Sequence, residues 1–161
     1  MAQLEHGSPA PAFSLPDADG NIVSLAEYAS GLVIVYFYPA ALTPGCTLEA
    51  IDFTAHLAAF RDAGYSVIGI SPDAPEKIAR FRSNEHLTVT LLSDPERKVI
   101  QAYGAWGEKV LYGKRLETLI RSTFLVNVDA AGVGTIERAW YNVRATGHVE
   151  RLAAELGIAL S

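Results

Sequence analysis

An apolar run at residues 32–38 constrains the fold of this chain more than any other stretch. The run is rich in β-branched and aromatic side chains and does not alternate with polar ones, which predicts a strand buried on both faces of a sheet. A helix start follows shortly after Pro39, because Thr43 suits the N-cap and Pro44 suits the first helical position. Cys46, the only cysteine of the chain, then falls in the first turn of that helix.

The predicted helix continues to residue 63, where Gly64 provides a C-terminal stop. At about 100° per residue, Cys46 shares a face with four apolar residues that we expect to pack in the core: Ala50, Phe53, Leu57 and Phe60. Ile51 lies about 140° around the helix from Cys46 on the same geometry. The thiol is therefore expected on the core-facing side of the helix, close to the end of the buried strand.

The rest of the chain alternates between strand and helix patterns. Two short strands, at 12–15 and 22–24, are predicted to form a hairpin around the turn at 17–21. Further strands are predicted at 65–70, 87–92, 121–128 and 135–142. Helices are predicted at 74–85, 93–102 and 146–157, and the stretch 104–114 is predicted to be irregular. This alternation predicts an α/β fold with a central mixed sheet flanked by helices and an N-terminal β-hairpin.

Length and composition exclude several classes of protein. The chain has 161 residues, about the length of one domain, so we expect a single domain spanning residues 1–161. Its net charge is −5 with scattered basic residues, which argues against nucleic acid binding. The longest apolar run is too short for a membrane helix, and the first residues lack the blocks of a signal peptide. A single cysteine excludes an intramolecular disulfide, so we expect a cytoplasmic protein.

The surroundings of the cysteine favour a reactive thiolate. A thiol attacks as the thiolate, and the first turn of a helix offers unpaired N–H groups and the positive end of the dipole. Thr43, three residues before Cys46, can place its hydroxyl beside the sulfur. Arg121, at the start of a predicted strand, is the candidate cation. Glu49 lies one turn further along the helix and would oppose ionisation of the thiol unless it pairs with Arg121.

The spacing Pro39-x-x-x-Thr43-x-x-Cys46 resembles the active-site signature of the peroxiredoxins. The stretches 37–39 and 43–50, together with 103–109, 112–114 and 121–126, resemble the bacterioferritin comigratory protein (PrxQ) branch in particular. The resemblance runs from about residue 8 to residue 155, nearly the whole chain. It implies a thioredoxin-like fold and a thiol-dependent peroxidase of the antioxidant defence.

The resemblance also implies roles for individual residues. The Cys46 thiolate would attack hydrogen peroxide or an organic hydroperoxide and become a sulfenic acid, with Thr43 and Arg121 holding the peroxide and Pro39 shielding the sulfur from water. Glu49 and Tyr38 are expected to support the site, Tyr38 either from the core or at its rim. No metal or other cofactor is expected, because the four histidines show no metal-ligand spacing.

One position departs from the branch. Many of its members carry a resolving cysteine five residues after the peroxidatic one, where this chain has Ile51, and others place it on the next helix, where this chain has none. We therefore expect a one-cysteine mechanism in which an external thiol resolves the sulfenic acid: thioredoxin, glutaredoxin or a low-molecular-weight thiol. By analogy with the family, we expect a monomer.

Two other functions stay open at the level of sequence. A redox sensor or a holdase-type interaction protein could use the same fold. Assignment as a thiol–disulfide oxidoreductase is less well supported, because Thr43 occupies the position of the first cysteine of a C-x-x-C motif.

Overall fold

The computed structural model describes residues 3–160. Its strands are β1 (Ser14–Pro16), β2 (Ile22–Ser24), β3 (Gly31–Phe37), β4 (Tyr65–Ser71), β5 (Thr90–Ser93), β6 (Trp106–Leu111), β7 (Lys114–Leu119), β8 (Ser122–Val128) and β9 (Gly134–Trp140). Its α-helices are α1 (Pro44–Asp62), α2 (Pro75–Glu85), α3 (Lys98–Ala102) and α4 (His148–Leu156), and a 3₁₀ turn spans Leu25–Tyr28.

The central sheet is mixed, with the strand order β5-β4-β3-β8-β9. Strands β3, β4 and β5 are parallel neighbours, whereas β8 runs antiparallel to both β3 and β9. Strands β1 and β2 form the N-terminal hairpin. The α/β, thioredoxin-like fold predicted from the sequence is therefore confirmed.

Strand β3 lies at the centre of the sheet and is buried on both faces, as its apolar run predicts. Alternate side chains enter two different core clusters, because successive residues of a strand point to opposite faces. Ile34 and Tyr36 pack with α1, α2 and α4, and this cluster includes Cys46. Val35 and Phe37 pack on the other face, with α3 and the N-terminal hairpin.

Aromatic contacts hold α1 against the sheet. The Tyr36 ring stacks on the Phe53 ring with 4.5 Å between centroids. The tyrosine can lie this close to β4 because its neighbour there is Gly69: a Cβ at that position would stand 2.6 Å from the Tyr36 Cζ. The helix that carries Cys46 is thus fixed to the central strand by a large buried contact.

The prediction that residues 104–114 are irregular is wrong. Residues 106–119 form an antiparallel hairpin, β6 and β7, which forms its own two-stranded sheet. Its two-residue turn places Tyr112 at φ 53° and Gly113 at φ 75°, the left-handed backbone of the turn that matches strand twist. Both strands are largely exposed, so they lack the alternation of apolar and polar residues that indicates a half-buried strand.

Other differences are shifts of element ends. Strand β1 begins two residues later than predicted, and β5 is shorter, covering Thr90–Ser93. Helix α3 begins at Lys98 rather than at the Ser93-Asp94-Pro95 turn, and β8 begins at Ser122, so Arg121 directly precedes the strand. Within residues 3–160, no helix is long and apolar enough to cross a membrane.

Candidate active site

Cys46 is the third residue of α1, and its side chain is 1% exposed. Pro44 opens the helix, and the backbone of Leu42 just before it takes a left-handed conformation with φ 67°. The predicted helix face is confirmed, because all five of its members, Cys46, Ala50, Phe53, Leu57 and Phe60, are buried. Ile51 points away from this face and is 40% exposed. The sulfur therefore lies below the surface, at the junction of β3 and α1.

Arg121 reaches the sulfur because of the sheet topology. Strand β8 runs antiparallel to β3, and Ser122 pairs with Phe37, so the start of β8 lies beside the end of β3. Arg121 Nη2 donates a hydrogen bond to Cys46 Sγ at 3.2 Å. The sequence prediction that this arginine is the cation beside the thiol agrees with this geometry.

The same guanidinium group binds Glu49. Arg121 Nη1 donates to Glu49 Oε1 at 2.5 Å, which is the ion pair that the sequence required to offset the glutamate charge. Burial would lower the pKa of Arg121, but the nearby negative charges of Glu49 and Cys46 outweigh it and the pKa is raised. The guanidinium therefore stays charged while its two outer nitrogens contact the nucleophile and the carboxylate.

Glu49 is fully buried. Burial raises the pKa of its carboxyl group to about 7, although the charge of Arg121 and the hydrogen bond from it act in the opposite direction. Within the described residues, Glu49 Oε2 accepts no hydrogen bond. The protonation state of this carboxyl group is consequently sensitive to pH near neutrality.

Thr43 occupies the N-cap position, as predicted, but its hydroxyl makes a different contact from the one expected. Thr43 Oγ1 donates to the carbonyl oxygen of Ala40 at 2.6 Å and makes no capping hydrogen bond to the helix. The Thr43 hydroxyl thus closes the loop that precedes α1. Its predicted role in holding the peroxide remains a prediction.

Tyr38 and Pro39 lie between β3 and this loop. Tyr38 is 1% exposed, and its ring packs against Phe81 and Tyr36, so of the two predicted places it occupies the core rather than the rim. Its backbone N–H donates to the Ile70 carbonyl oxygen at 3.1 Å, which extends the β3–β4 pairing by one residue. Pro39 follows and is half-buried.

Asp73 is a functional candidate that the sequence analysis missed. Its Oδ2 accepts hydrogen bonds from the Ala41 backbone N–H at 2.6 Å and from Ser71 Oγ at 2.9 Å, and its Oδ1 pairs with Lys77 Nζ at 3.0 Å. The carboxylate thus ties the loop before α1 to the connection between β4 and α2. The available signal was positional: Asp73 follows a strand parallel to β3, and the carboxyl ends of parallel strands meet at one sheet edge.

His148 is a second buried polar residue behind the site. It is the first residue of α4, its Nε2 lies 2.8 Å from Thr123 Oγ1, and its ring meets the edge of Phe53. Burial, together with the positive charges of Arg151 and Arg121, lowers the pKa of His148 to about 4. The imidazole is therefore neutral at neutral pH. Residues 3–160 contain no His, Cys, Asp and Glu cluster suited to a metal ion.

The arrangement provides a nucleophile and an electrostatic partner in one buried place. Negative charge on the sulfur, or on an atom bonded to it, is stabilised by the Arg121 N–H that points at it. The guanidinium group is held in orientation from behind by Glu49. Such a site suits a reaction in which charge moves from sulfur to an adjacent oxygen.

Comparisons with known proteins agree with this chemistry. The AhpC/TSA family pattern matches residues 6–133. A Mycobacterium tuberculosis (strain H37Rv) protein with a provisional peroxiredoxin name is 57% identical over 156 residues, 97% of each chain. Peroxiredoxin Bcp of Escherichia coli (strain K12) is 42% identical over 148 residues, 92% of each chain.

Solved structures give the same result. A cysteine-to-serine mutant of Xanthomonas campestris peroxiredoxin Q has a TM-score of 0.82 at 32% identity, over 90% of each chain. The bacterioferritin comigratory protein of the same organism, studied for its alkyl peroxide reduction activity, has a TM-score of 0.80 at 32% identity, again over 90% of each chain. The chain therefore belongs to the AhpC/TSA family and is a peroxiredoxin, a thiol-dependent peroxidase.

Proposed function

We propose that Cys46 is the peroxidatic cysteine of a one-cysteine peroxidase and that an external thiol resolves its sulfenic acid. The observation that supports this most directly is the 3.2 Å contact between Arg121 Nη2 and Cys46 Sγ, with the other outer nitrogen of the guanidinium group bound to Glu49. A buried cation at hydrogen-bond distance from the sulfur is pre-positioned for the charge of the transition state.

In the first step the Cys46 thiolate attacks one oxygen of the hydroperoxide. An S–O bond forms as the O–O bond breaks, and the second oxygen leaves with the electron pair and takes a proton to become water or an alcohol. Arg121 stabilises the charge as it moves from sulfur to the leaving oxygen, so its contact strengthens in the transition state. In this proposal the Thr43 hydroxyl turns from Ala40 to the peroxide, and Pro39 keeps water from the sulfur.

In the second step a thiol from outside the chain reduces the sulfenic acid, because the sequence contains no second cysteine. Hydrogen peroxide and organic hydroperoxides are the proposed oxidants, in line with the alkyl peroxide activity addressed for the Xanthomonas relative. Thioredoxin, glutaredoxin and low-molecular-weight thiols are the candidate reductants. We place the protein in the reducing cytoplasm, as a monomer with one domain.

Stopped-flow oxidation by hydrogen peroxide tests the first step. The wild-type protein should react about a hundredfold or more faster than a free cysteine thiolate, which is the order of acceleration expected of one aimed donor. Mass spectrometry after one equivalent of peroxide should find one added oxygen on Cys46, and Cys46→Ser should show neither signal. A rate close to that of a free thiolate would refute the peroxidase assignment of Cys46 and favour the sensor alternative.

A further inference from the structure

We infer that the cavity beside Arg121 is the binding site for the reductant and that this reductant is a small thiol bearing a carboxylate. The inference rests on the one-cysteine mechanism proposed above and specifies the thiol class that this mechanism needs. It arises from two cations, Lys109 and Arg144, that lie beside Arg121 and that the peroxide step does not use.

The cavity adjoins the guanidinium group that contacts the Cys46 sulfur. It has a volume of about 580 Å³ and is lined by Lys109, Arg121 and the segment 142–146. Arg121 therefore faces the cavity while it contacts Cys46 Sγ. The first turn of α1 comes close to the same segment, since a Cβ on Gly45 would stand 3.4 Å from Arg121 Nη2 and 3.5 Å from Ala145 Cβ. A ligand in the cavity is thus next to the group that touches the nucleophile.

The lining is cationic in a chain whose net charge is −5. Lys109, Arg121 and Arg144 line the cavity, and none of its lining residues among those the structure describes is acidic. Arg121 is paired with Glu49, whereas Lys109 and Arg144 form no ion pair within residues 3–160. Two positive charges without an ion-pair partner among residues 3–160 therefore line the cavity beside Arg121.

Hydrogen bonds preform the wall of the cavity. Arg151 donates to the carbonyl oxygens of Thr146 at 2.8 Å and of Arg144 at 3.0 Å. The Val143 N–H donates to the Arg121 carbonyl oxygen at 2.9 Å, which fastens the segment to the start of β8. A site held in this way loses little conformational entropy when it binds a ligand.

A thiol suits these charges better than a hydroperoxide does. The reductant reacts as a thiolate, so its reacting atom is an anion, whereas the O–OH group of a hydroperoxide is neutral. The thiolate attacks the sulfur of the Cys46 sulfenic acid, an S–S bond forms, the S–O bond breaks, and hydroxide leaves as water after taking a proton. A second thiolate then attacks the mixed disulfide and releases the Cys46 thiolate and a disulfide. The volume is in the range of small-molecule sites and accommodates a ligand of amino-acid to short-peptide size.

Matched thiols and charge-reversed variants test the inference. N-acetylcysteine carries a carboxylate, and N-acetylcysteine amide carries a neutral carboxamide in its place. We would form the Cys46 sulfenic acid with one equivalent of peroxide and measure its reduction by each thiol at equal thiolate concentration and low salt. Lys109→Glu and Arg144→Glu should each slow reduction by N-acetylcysteine about five- to tenfold, as expected for reversing one charge a few ångströms from another. Reduction by the amide should change less than twofold, and the effect should shrink with added salt.

Arg115→Glu is the matched control. Arg115 is exposed on the same hairpin as Lys109. Lys109 pairs with Leu116, and Arg115 is the strand neighbour of Leu116, so its side chain points to the opposite face of the hairpin from that of Lys109. It should leave both thiols almost unaffected. Equal slowing of the two thiols, or none, would overturn the inference. The inference would also be overturned if the variants were oxidised more slowly by a carboxylate-bearing hydroperoxide but were reduced by N-acetylcysteine at the wild-type rate. Wild-type oxidation by hydrogen peroxide is timed separately, so a slow peroxide step would count against the proposed function and leave the charge test interpretable.

Discussion

Arg121 is the residue on which the chemistry of the site depends. Its two outer nitrogens serve different atoms, the Cys46 sulfur and the Glu49 carboxylate. A lysine could supply the charge but not both directed contacts, because its ammonium group is a point charge on a flexible stem. The planar fork of the arginine is therefore used for geometry as well as for charge.

We predict that Arg121→Ala lowers the rate of Cys46 oxidation by hydrogen peroxide about 10²- to 10³-fold, the usual cost of removing one donor aimed at transition-state charge. Arg121→Lys should retain part of the rate. Stopped-flow kinetics would measure both, and circular dichroism would check folding, because the alanine variant leaves Glu49 buried without its partner. A folded alanine variant that reacts as fast as the wild type would contradict the assignment.

Glu49 should give the oxidation rate a pH dependence near neutrality. The pKa of its carboxyl group is about 7, and only the ionised form anchors Arg121 as an ion pair. As the pH falls through 7, protonation weakens that anchor, and we expect the rate to fall. In Glu49→Gln the rate at pH 8 should be about tenfold lower, the order expected for losing a charged hydrogen bond, and the limb near pH 7 should disappear. Stopped-flow oxidation rates from pH 5.5 to 8.5 would test this pH dependence. If the fall in rate near pH 7 persists in the glutamine variant, it arises from the titration of another group.

Some residue contacts could be predicted from the sequence, and others could not. Cys46 and Glu49 were accessible because helix spacing places them on successive turns, and Arg121 was accessible because the stretch around it resembles the peroxiredoxins. The hydrogen bond from Thr43 to Ala40 was not accessible, because a hydroxyl can choose between several nearby acceptors and only the loop geometry decides. The contact between Asp73 and Ala41 joins residues far apart in the chain and depends on the pairing of β3 with β4.

At the scale of elements, the loop between β3 and α1 determines where the sulfur lies. It is fixed at two points, by the Thr43 hydroxyl on Ala40 and by the Asp73 carboxylate on the Ala41 N–H. The second contact comes from outside the loop, so it decides how firmly the loop is held against the β4–α2 connection.

We predict that Asp73→Asn loosens this loop. An amide keeps the shape of the side chain but removes the charge, and losing a charged hydrogen bond costs about 1.5–3 kcal/mol. Amide hydrogen exchange at Ala41 should accelerate about tenfold or more, and the oxidation rate should fall because Cys46 is held less firmly. Lys77→Ala is the control, since it removes only the partly exposed partner of Asp73 and should change exchange at Ala41 little. Unchanged protection of Ala41 in the asparagine variant would show that Asp73 does not hold the loop.

The elements themselves were predictable to different degrees. Buried strands such as β3 and β4 were found because their apolar runs are continuous, and α1 was found because its cap residues and its apolar face agree. The β6–β7 hairpin was missed because exposed strands carry no apolar period and because Tyr112, an unusual residue at positive φ, shares the turn with Gly113.

For the whole molecule, one consequence of the fold is that two buried titratable groups act in opposite directions on stability. The pKa of Glu49 is raised in the folded state, so its contribution favours folding at low pH and is lost as the pH rises towards 7. The pKa of His148 is lowered from 6.5 to about 4, so the unfolded chain binds the proton first and stability is lost as the pH falls from about 6.5 towards 4. The two effects partly cancel between pH 4.5 and 6.5 in the intact protein.

A variant of His148 separates the histidine contribution to stability from the Glu49 contribution. His148→Gln keeps a polar group facing Thr123 but cannot take up a proton, so only the histidine effect is removed. The wild type should be the more stable protein at pH 7, and its advantage should shrink by up to about 3 kcal/mol as the pH falls to 4.5, since each unit of pKa difference corresponds to about 1.36 kcal/mol. Urea unfolding of both proteins at several pH values measures this double difference, in which the Glu49 contribution cancels. An advantage that stays constant over that range would mean that His148 is solvated in the folded protein, and the close packing of α4 against Phe53 and Thr123 would then be incorrect.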